Sequence, residues 1–226
     1  MQESSDSDGL RYDSGALLDV DLLVAWRKGD NVAGSTLVQR HMRVLYRFFR
    51  TKVDRDVDEL IQRTWLRCAE TKSPFRGDST FRTYLLGIGR NVALEYFRQR
   101  RRDSERIDPE AESAVDLGVS ATTGLARKRE HRLLLQGLRS IALDHQVALE
   151  LFYWEDLTSA ELAEILGVPP NTMRTRIRRA RDALRKKLAN LATSAELLES
   201  TQGDLEGWAR SLRDYVDEDR KASAEP

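Results

Sequence analysis

Cysteine, histidine and proline are all scarce in this chain, and surplus charge is absent. A single cysteine, Cys68, stands among 226 residues. It cannot close a disulfide within the chain or build a cysteine-based metal cluster. Three histidines, His41, His131 and His145, lie far apart without metal-ligand spacing. Neither a metal nor another cofactor is therefore expected. No apolar run is long enough to cross a bilayer, and no signal peptide is visible, so a cytoplasmic protein without membrane insertion is expected. Glycine-rich phosphate loops and nucleophile–base arrangements are also missing, which argues against an enzyme. Strand-like alternation is rare, and the repeating pattern is helical, predicting an all-α chain.

Lys+Arg and Asp+Glu are balanced at 37 each, so the chain as a whole should attract a polyanion weakly. The charge is segregated, however. Acid gathers at the N-terminus, in the middle and at the C-terminus; base gathers at Arg98 to Arg102 and Arg174 to Lys187. A neutral chain with basic islands suits nucleic-acid contact that depends on a partner.

The most informative stretch is Leu157 to Leu188. Thr158 is a good N-cap, and Glu161 three residues on completes a capping-box pattern. Leu162, Ile165 and Leu166 follow at helical spacing, and Gly167 suits the left-handed position just past a helix end. Pro169 and Pro170 end one helix but are tolerated in the first turn of the next. In that second helix Met173, Ile177, Ala180, Leu184 and Leu188 make a buried stripe. Asn171, Arg174, Thr175, Arg178 and Arg179 point away from it, with Thr172 in the turn and Arg176 on the flank. Two helices so joined form a helix-turn-helix. Arg forks onto guanine and Asn onto adenine, so the outward face fits major-groove reading. The plainer alternative is a solvated helix whose last-turn cations complement its dipole. That accounts for Arg185 to Lys187 but not for the cations of the first half.

Along the rest of the chain, residues 1–15 are acidic and polar, with the composition of a disordered segment. Helical stripes follow at Leu22, Leu23 and Trp26; at Leu37 to Phe49; and at Leu60, Ile61, Trp65 and Leu66. Residues 73–79 form a loop carrying Phe75 and Arg76. Thr80 to Arg101 is a long helix lined by Phe81, Tyr84, Leu85, Ile88, Val92 and Tyr96. An aromatic loop beside a basic helix could hold unstacked bases, yet the helix aromatics also read as ordinary core. Residues 103–126 form an acidic linker between two helical domains. The domains expected are 16–102 and 127–190. Beyond them, 191–226 carries an amphipathic helix over 204–216, which either packs on its own C-terminal domain or serves as a regulatory, partner-binding element.

In this order the parts resemble the sigma-70 family of bacterial RNA polymerase sigma factors, of the extracytoplasmic-function (ECF) type. DVDELIQRTWLRC (Asp56 to Cys68) is similar to the family's core-binding helix. FRGDSTFRTYLLGIGRNVALEYFRQRRR (Phe75 to Arg102) is similar to its promoter −10 segment, and Leu157 to Leu188 to its −35 reader. The resemblance implies that Asp58, Glu59, Leu60 and Gln62 dock on core polymerase, with Leu60 as the buried contact. Phe75, Arg76, Asp78, Ser79 and Thr80 would capture a flipped −10 base, and Arg90 and Asn91 would contact that strand. Asn171, Thr172, Arg174, Thr175, Arg176, Arg178 and Arg179 would read the −35 element. Partners implied are the polymerase clamp helices and flap, promoter DNA, and an anti-sigma factor or other regulator. This chain has Tyr84 where many members carry Trp, and PPNT where a glycine often precedes the Thr. The rival reading of the residues is a stand-alone helix-turn-helix repressor or activator with an N-terminal sensing or dimerisation domain.

Overall fold

The computed structural model describes residues 18–71, 80–104, 125–193, Gly207 and 210–217. Among these residues the structure is helical, without strands. The elements are α1 (Asp19–Arg27), α2 (Asn31–Arg50), α3 (Val57–Glu70), α4 (Phe81–Ser104), α5 (Leu125–Arg139), α6 (Leu143–Trp154), α7 (Ser159–Leu166), a 3-10 turn (Pro170–Thr172) and α8 (Met173–Leu191). A further helix, α9, covers 210–217.

Helices α1 to α4 pack together around Leu22, Leu37, Leu45, Phe49, Leu60, Leu85 and Leu86. An aromatic chain joins their faces: Trp26 meets Trp65 edge-on at 6.0 Å, and Trp65 stacks on Phe81 at 6.4 Å. Gly34 is where α2 passes the Trp26 indole, and a β-carbon there would stand 2.5 Å from the ring. Phe81 is buried and Tyr84 and Tyr96 half-buried, so the core reading of these α4 aromatics is the one realised. Asp30 caps α2 by accepting from the amides of Val32 and Ala33. Thr80 accepts from the Thr83 amide at 3.2 Å and so caps the start of α4.

Helices α5 to α8 form the second unit, with α8 laid across α5 and α6. The stripe predicted for α8, Met173, Ile177, Ala180, Leu184 and Leu188, is its buried set. The capping box is present in both directions: the Thr158 hydroxyl accepts from the Glu161 amide, and the Glu161 carboxylate accepts from the Thr158 amide at 2.9 Å. That arrangement, with hydrogen bonds from Thr158 to the charged form, holds the Glu161 carboxyl below its ordinary range. Gly167 takes φ +65°, the left-handed cap anticipated for it. Cys68 is fully buried in the first unit.

The two units are in direct contact. Helix α4 packs on α7, and charged side chains cross the seam between them. The expected disorder of 1–15, the loop at 73–79 and the acidic linker up to 124 lie outside the described residues.

Candidate nucleic-acid interface

Helix α3 presents Asp58, Glu59 and Gln62 to solvent. Leu60 does not join them. It is 1 % exposed and sits in the chain's own core, so the expectation that it makes the apolar contact with a partner is corrected. One turn of helix sends Leu60 inward with Ile61 and Thr64 while its neighbours point out. Leu66 shows the opposite error. It was assigned to the core stripe, yet it is 57 % exposed. Glu59, Gln62 and Leu66 fall at i, i+3 and i+7, one outward face of α3. Glu59 is steadied there by Arg63, whose Nη2 lies 2.7 Å from its carboxylate.

On α4, Asn91 is exposed and Arg90 is half-buried. Arg90 does not point into open solvent: its Nε donates to Asp144 of α6 at 2.9 Å. Thr80 is exposed, and its hydroxyl is engaged with Thr83, 2.9 Å away. Phe75, Arg76, Asp78 and Ser79 lie outside the described residues.

In the turn and α8, Asn171, Thr172, Arg174, Thr175, Arg178 and Arg179 are all exposed. The Thr172 hydroxyl donates to the Pro169 carbonyl at 2.7 Å, which fixes the turn ahead of the helix. Arg176 is half-buried on the flank, and its Nη1 lies 3.6 Å from Asp144. Arg174, Thr175 and Arg178 line an open cleft with Phe152 and Ser159, so the cationic face borders a concave surface. Four guanidinium groups on two turns of exposed helix can neutralise phosphates and donate in pairs to base edges.

The decisive observation is how these parts align with known proteins. A family model described as Sigma-70 region 2 matches residues 37–103, and one described as Sigma-70, region 4 matches 131–184. The ECF RNA polymerase sigma-E factor of Escherichia coli (strain K12) is 32 % identical over 184 residues, spanning 77 % of this chain and 96 % of its own length. This chain belongs to the ECF sigma factors of the sigma-70 family. The counterpart in Haemophilus influenzae is 28 % identical over 184 residues, spanning 77 % of this sigma factor and 97 % of itself. The solved structure of CnrH in complex with the cytosolic domain of CnrY shares the fold, with a TM-score of 0.54 at 22 % identity over 80 % of this chain and 100 % of that one.

As a sigma factor the protein directs promoter-specific transcription initiation by RNA polymerase, and its family is not one of enzymes. The stand-alone repressor reading gives way. No helix among the described residues is long and apolar enough to cross a membrane.

Residues that the sequence reading passed over lie along the seam between the two units. Arg82 donates to the Glu155 backbone carbonyl at 3.0 Å. The Thr83 hydroxyl donates to Glu161 at 3.3 Å. Arg139 donates to both Asp54 carboxylate oxygens, at 2.8 and 2.9 Å, and to the Thr51 carbonyl. Lys52 and Glu150 pair in full burial, and Arg47 is buried against Glu155. The available signal was charge on an apolar stripe: Arg47 falls between Leu45 and Phe48, and Glu150 inside Val147 to Trp154.

Proposed function

We propose that three outward faces divide the work of initiation. Asp58, Glu59 and Gln62 on α3 dock on the polymerase clamp helices, with exposed Leu66 as the apolar anchor in the role first given to Leu60. The loop of Phe75, Arg76, Asp78, Ser79 and Thr80 captures a flipped −10 base, while Arg90 and Asn91 hold the strand. Flipping costs a few kcal/mol of unstacking, which pocket and phosphate contacts must offset. Asn171, Thr172, Arg174, Thr175, Arg176, Arg178 and Arg179 read the −35 element, and the domain bearing them, 127–190, also meets the flap. The acidic linker, 103–126, follows the polymerase's basic RNA path. The chain works in the cytoplasm, takes no cofactor and leaves the chemistry to the polymerase. A regulator of the anti-sigma kind completes the set of partners, in keeping with a protein of the same fold having been solved with the cytosolic domain of CnrY.

The observation that carries this reading is the opposition on α8 of a buried apolar stripe and an exposed cationic face. Run-off transcription with purified core enzyme tests it, with Asp58→Arg, Asn91→Ala and Arg178→Ala assayed separately. The first should fail to bind core. The other two should bind core and fail at promoter opening or −35 engagement. Tight, specific occupation of duplex promoter by the protein alone would contradict the scheme, because a chain without surplus charge has little non-specific attraction to build on.

A further inference from the structure

Helix α9 touches both units at once. Its Asp217 is 6 % exposed and accepts from two arginines of α2 in region 2: Arg43 Nη2 at 2.6 Å and Arg47 Nη1 at 3.1 Å. On the other side, Ser211 Oγ and His131 Nε2 of α5 lie 2.9 Å apart, and Arg213 donates to the Trp154 carbonyl at the end of α6 at 3.3 Å. Tyr215 packs on the His131 ring at 5.3 Å, and Leu212 and Val216 are buried. Arg47 is the shared element, held by Asp217 of α9 and by Glu155 of region 4 together. An extension that merely decorated the C-terminal domain would not need a buried carboxylate aimed at α2.

What the contact between the units covers is the side of α4 that carries Arg82 and Arg90, while Asn91 stays exposed. Asp144 occupies Arg90, and Glu155 occupies Arg82. Each carboxylate thus neutralises a guanidinium of α4. By contrast, Asp58, Glu59, Gln62 and Leu66 on α3 stay open in the same arrangement.

We propose that α9 is a clasp built into this sigma factor: it fastens region 4 to region 2 through Asp217, masks the α4 face from promoter DNA, and leaves the α3 face open. The proposal rests on the assignment of α4 to the −10 strand. In the clasped form polymerase meets the α3 face first. Opening of the seam then releases Arg82 and Arg90 to the DNA and frees α8 to reach its own element. The clasp therefore gates promoter opening rather than the first encounter with polymerase, and it supplies in cis a restraint that a separate inhibitor would otherwise have to provide.

Asp217→Lys tests this in the full-length chain, since it sets like charge against Arg43 and Arg47 while keeping Leu212 and Val216. A second variant, with residues 194–226 deleted, removes the whole clasp, and circular dichroism checks that both retain their helices. Small-angle scattering of the free proteins should show a larger radius of gyration in both variants. Run-off transcription with core enzyme at limiting sigma concentration should rise about tenfold, within the usual range for coupled sites. Core binding should change much less. Unchanged scattering and unchanged transcription in both variants would overturn the clasp. If neither the wild-type chain nor either variant supports transcription with core enzyme, the reading of α4 is what fails, and scattering alone then decides whether α9 holds the units together.

Discussion

Arg90 and Asp144 meet through two nitrogens, Nε at 2.9 Å and Nη2 at 2.8 Å, across a separation of 54 residues in sequence. A guanidinium assigned to the promoter is thus paired with a carboxylate of the opposite unit, which also lies 3.6 Å from Arg176 of α8. The two members of the pair should respond to mutation in opposite directions. Arg90→Ala removes a strand contact and should lower open-complex formation. Asp144→Ala releases both arginines and should raise it several-fold at limiting sigma, as expected from a partly exposed pair worth about 1 kcal/mol. Permanganate reactivity of the −10 thymines reads both. The same direction of change in the two variants would remove Asp144 from any masking role.

Lys52 and Glu150 form a seam contact with almost no exposure, at 0 and 2 % of their side-chain surfaces. Lys52 also donates to the Phe48 carbonyl at 2.7 Å and lies over the Phe48 ring at 3.9 Å. Removing one partner of a buried pair leaves an uncompensated charge, at a cost of about 3–5 kcal/mol, whereas replacing both with apolar groups is often neutral or better. Glu150→Ala should therefore destabilise the closed form strongly, and Lys52→Met with Glu150→Leu should restore it. Burial pushes the Lys52 ammonium below its ordinary pKa, against the opposing pull of Glu150. Without Glu150 the group loses its proton more readily, so the unfolded chain holds more protons and stability rises with pH towards 10.5. The deficit of Glu150→Ala in urea unfolding should shrink between pH 8 and 10; a constant deficit would refute the charge argument.

Leu66 offers a cleaner test of the polymerase face than any acidic residue. Because it is already 57 % exposed, Leu66→Ala should leave the thermal midpoint nearly unchanged. If it anchors the α3 face, core-binding affinity should fall about tenfold, the scale expected for an aliphatic side chain buried on association. Leu60→Ala should behave the other way, with a large loss of stability from the core cavity it leaves. Fluorescence anisotropy with core enzyme and a thermal melt on each variant separate the two. Equal core affinity for Leu66→Ala and wild type would leave Leu66 an ordinary surface leucine.

These pairs also mark the boundary of what could be read from the chain. The α8 stripe, the Thr158–Glu161 capping box and Gly167 follow from spacing and local backbone preference, and all three appear as expected. Periodicity places Leu60 in the apolar stripe, where the structure has it, and only the resemblance turns it towards a partner; Leu66 lies on the face of α3 opposite the buried set, where apolar character alone suggests core. The seam pairs were invisible for a different reason. Arg47 reaches Glu155 over 108 residues and Asp217 over 170, and no local preference encodes such distances. The extension could be recognised as amphipathic from Leu212, Tyr215 and Val216, but not that its last described residue would cross to α2.

Cys68 reports on opening of the first unit. Burial pushes its thiol up to about 12, although the nearby Arg27 charge acts in the other direction. The thiolate is the reactive form, so at pH 8 a disulfide reagent should modify the folded protein very slowly. Modification should accelerate in urea along the same transition that circular dichroism follows. Fast, stoichiometric labelling without denaturant would show that α3 and α4 separate readily.

His41 gives region 2 a pH dependence near neutrality. It is nearly buried, packs edge-on against Phe81 at 5.0 Å, and has Nε2 2.8 Å from Asp19. Burial lowers its pKa below 6.5; the hydrogen bond and charge of Asp19 offset this only in part, and the charges of Arg40 and Arg82 add to the lowering. The folded state therefore takes up a proton less readily than the unfolded chain. Above pH 6.5 both states are neutral at this site and the full contribution is present. As pH falls below 6.5 the unfolded chain protonates first, and stability drops, by at most about 1.4 kcal/mol per pH unit for one proton, until the folded form protonates too. Wild type should lose stability between pH 7 and 5, measured by urea unfolding. His41→Gln retains a polar group near Asp19 without the titration, so its curve should be flatter over that window even if its midpoint is lower throughout. Parallel curves for the two proteins would place the acid sensitivity elsewhere.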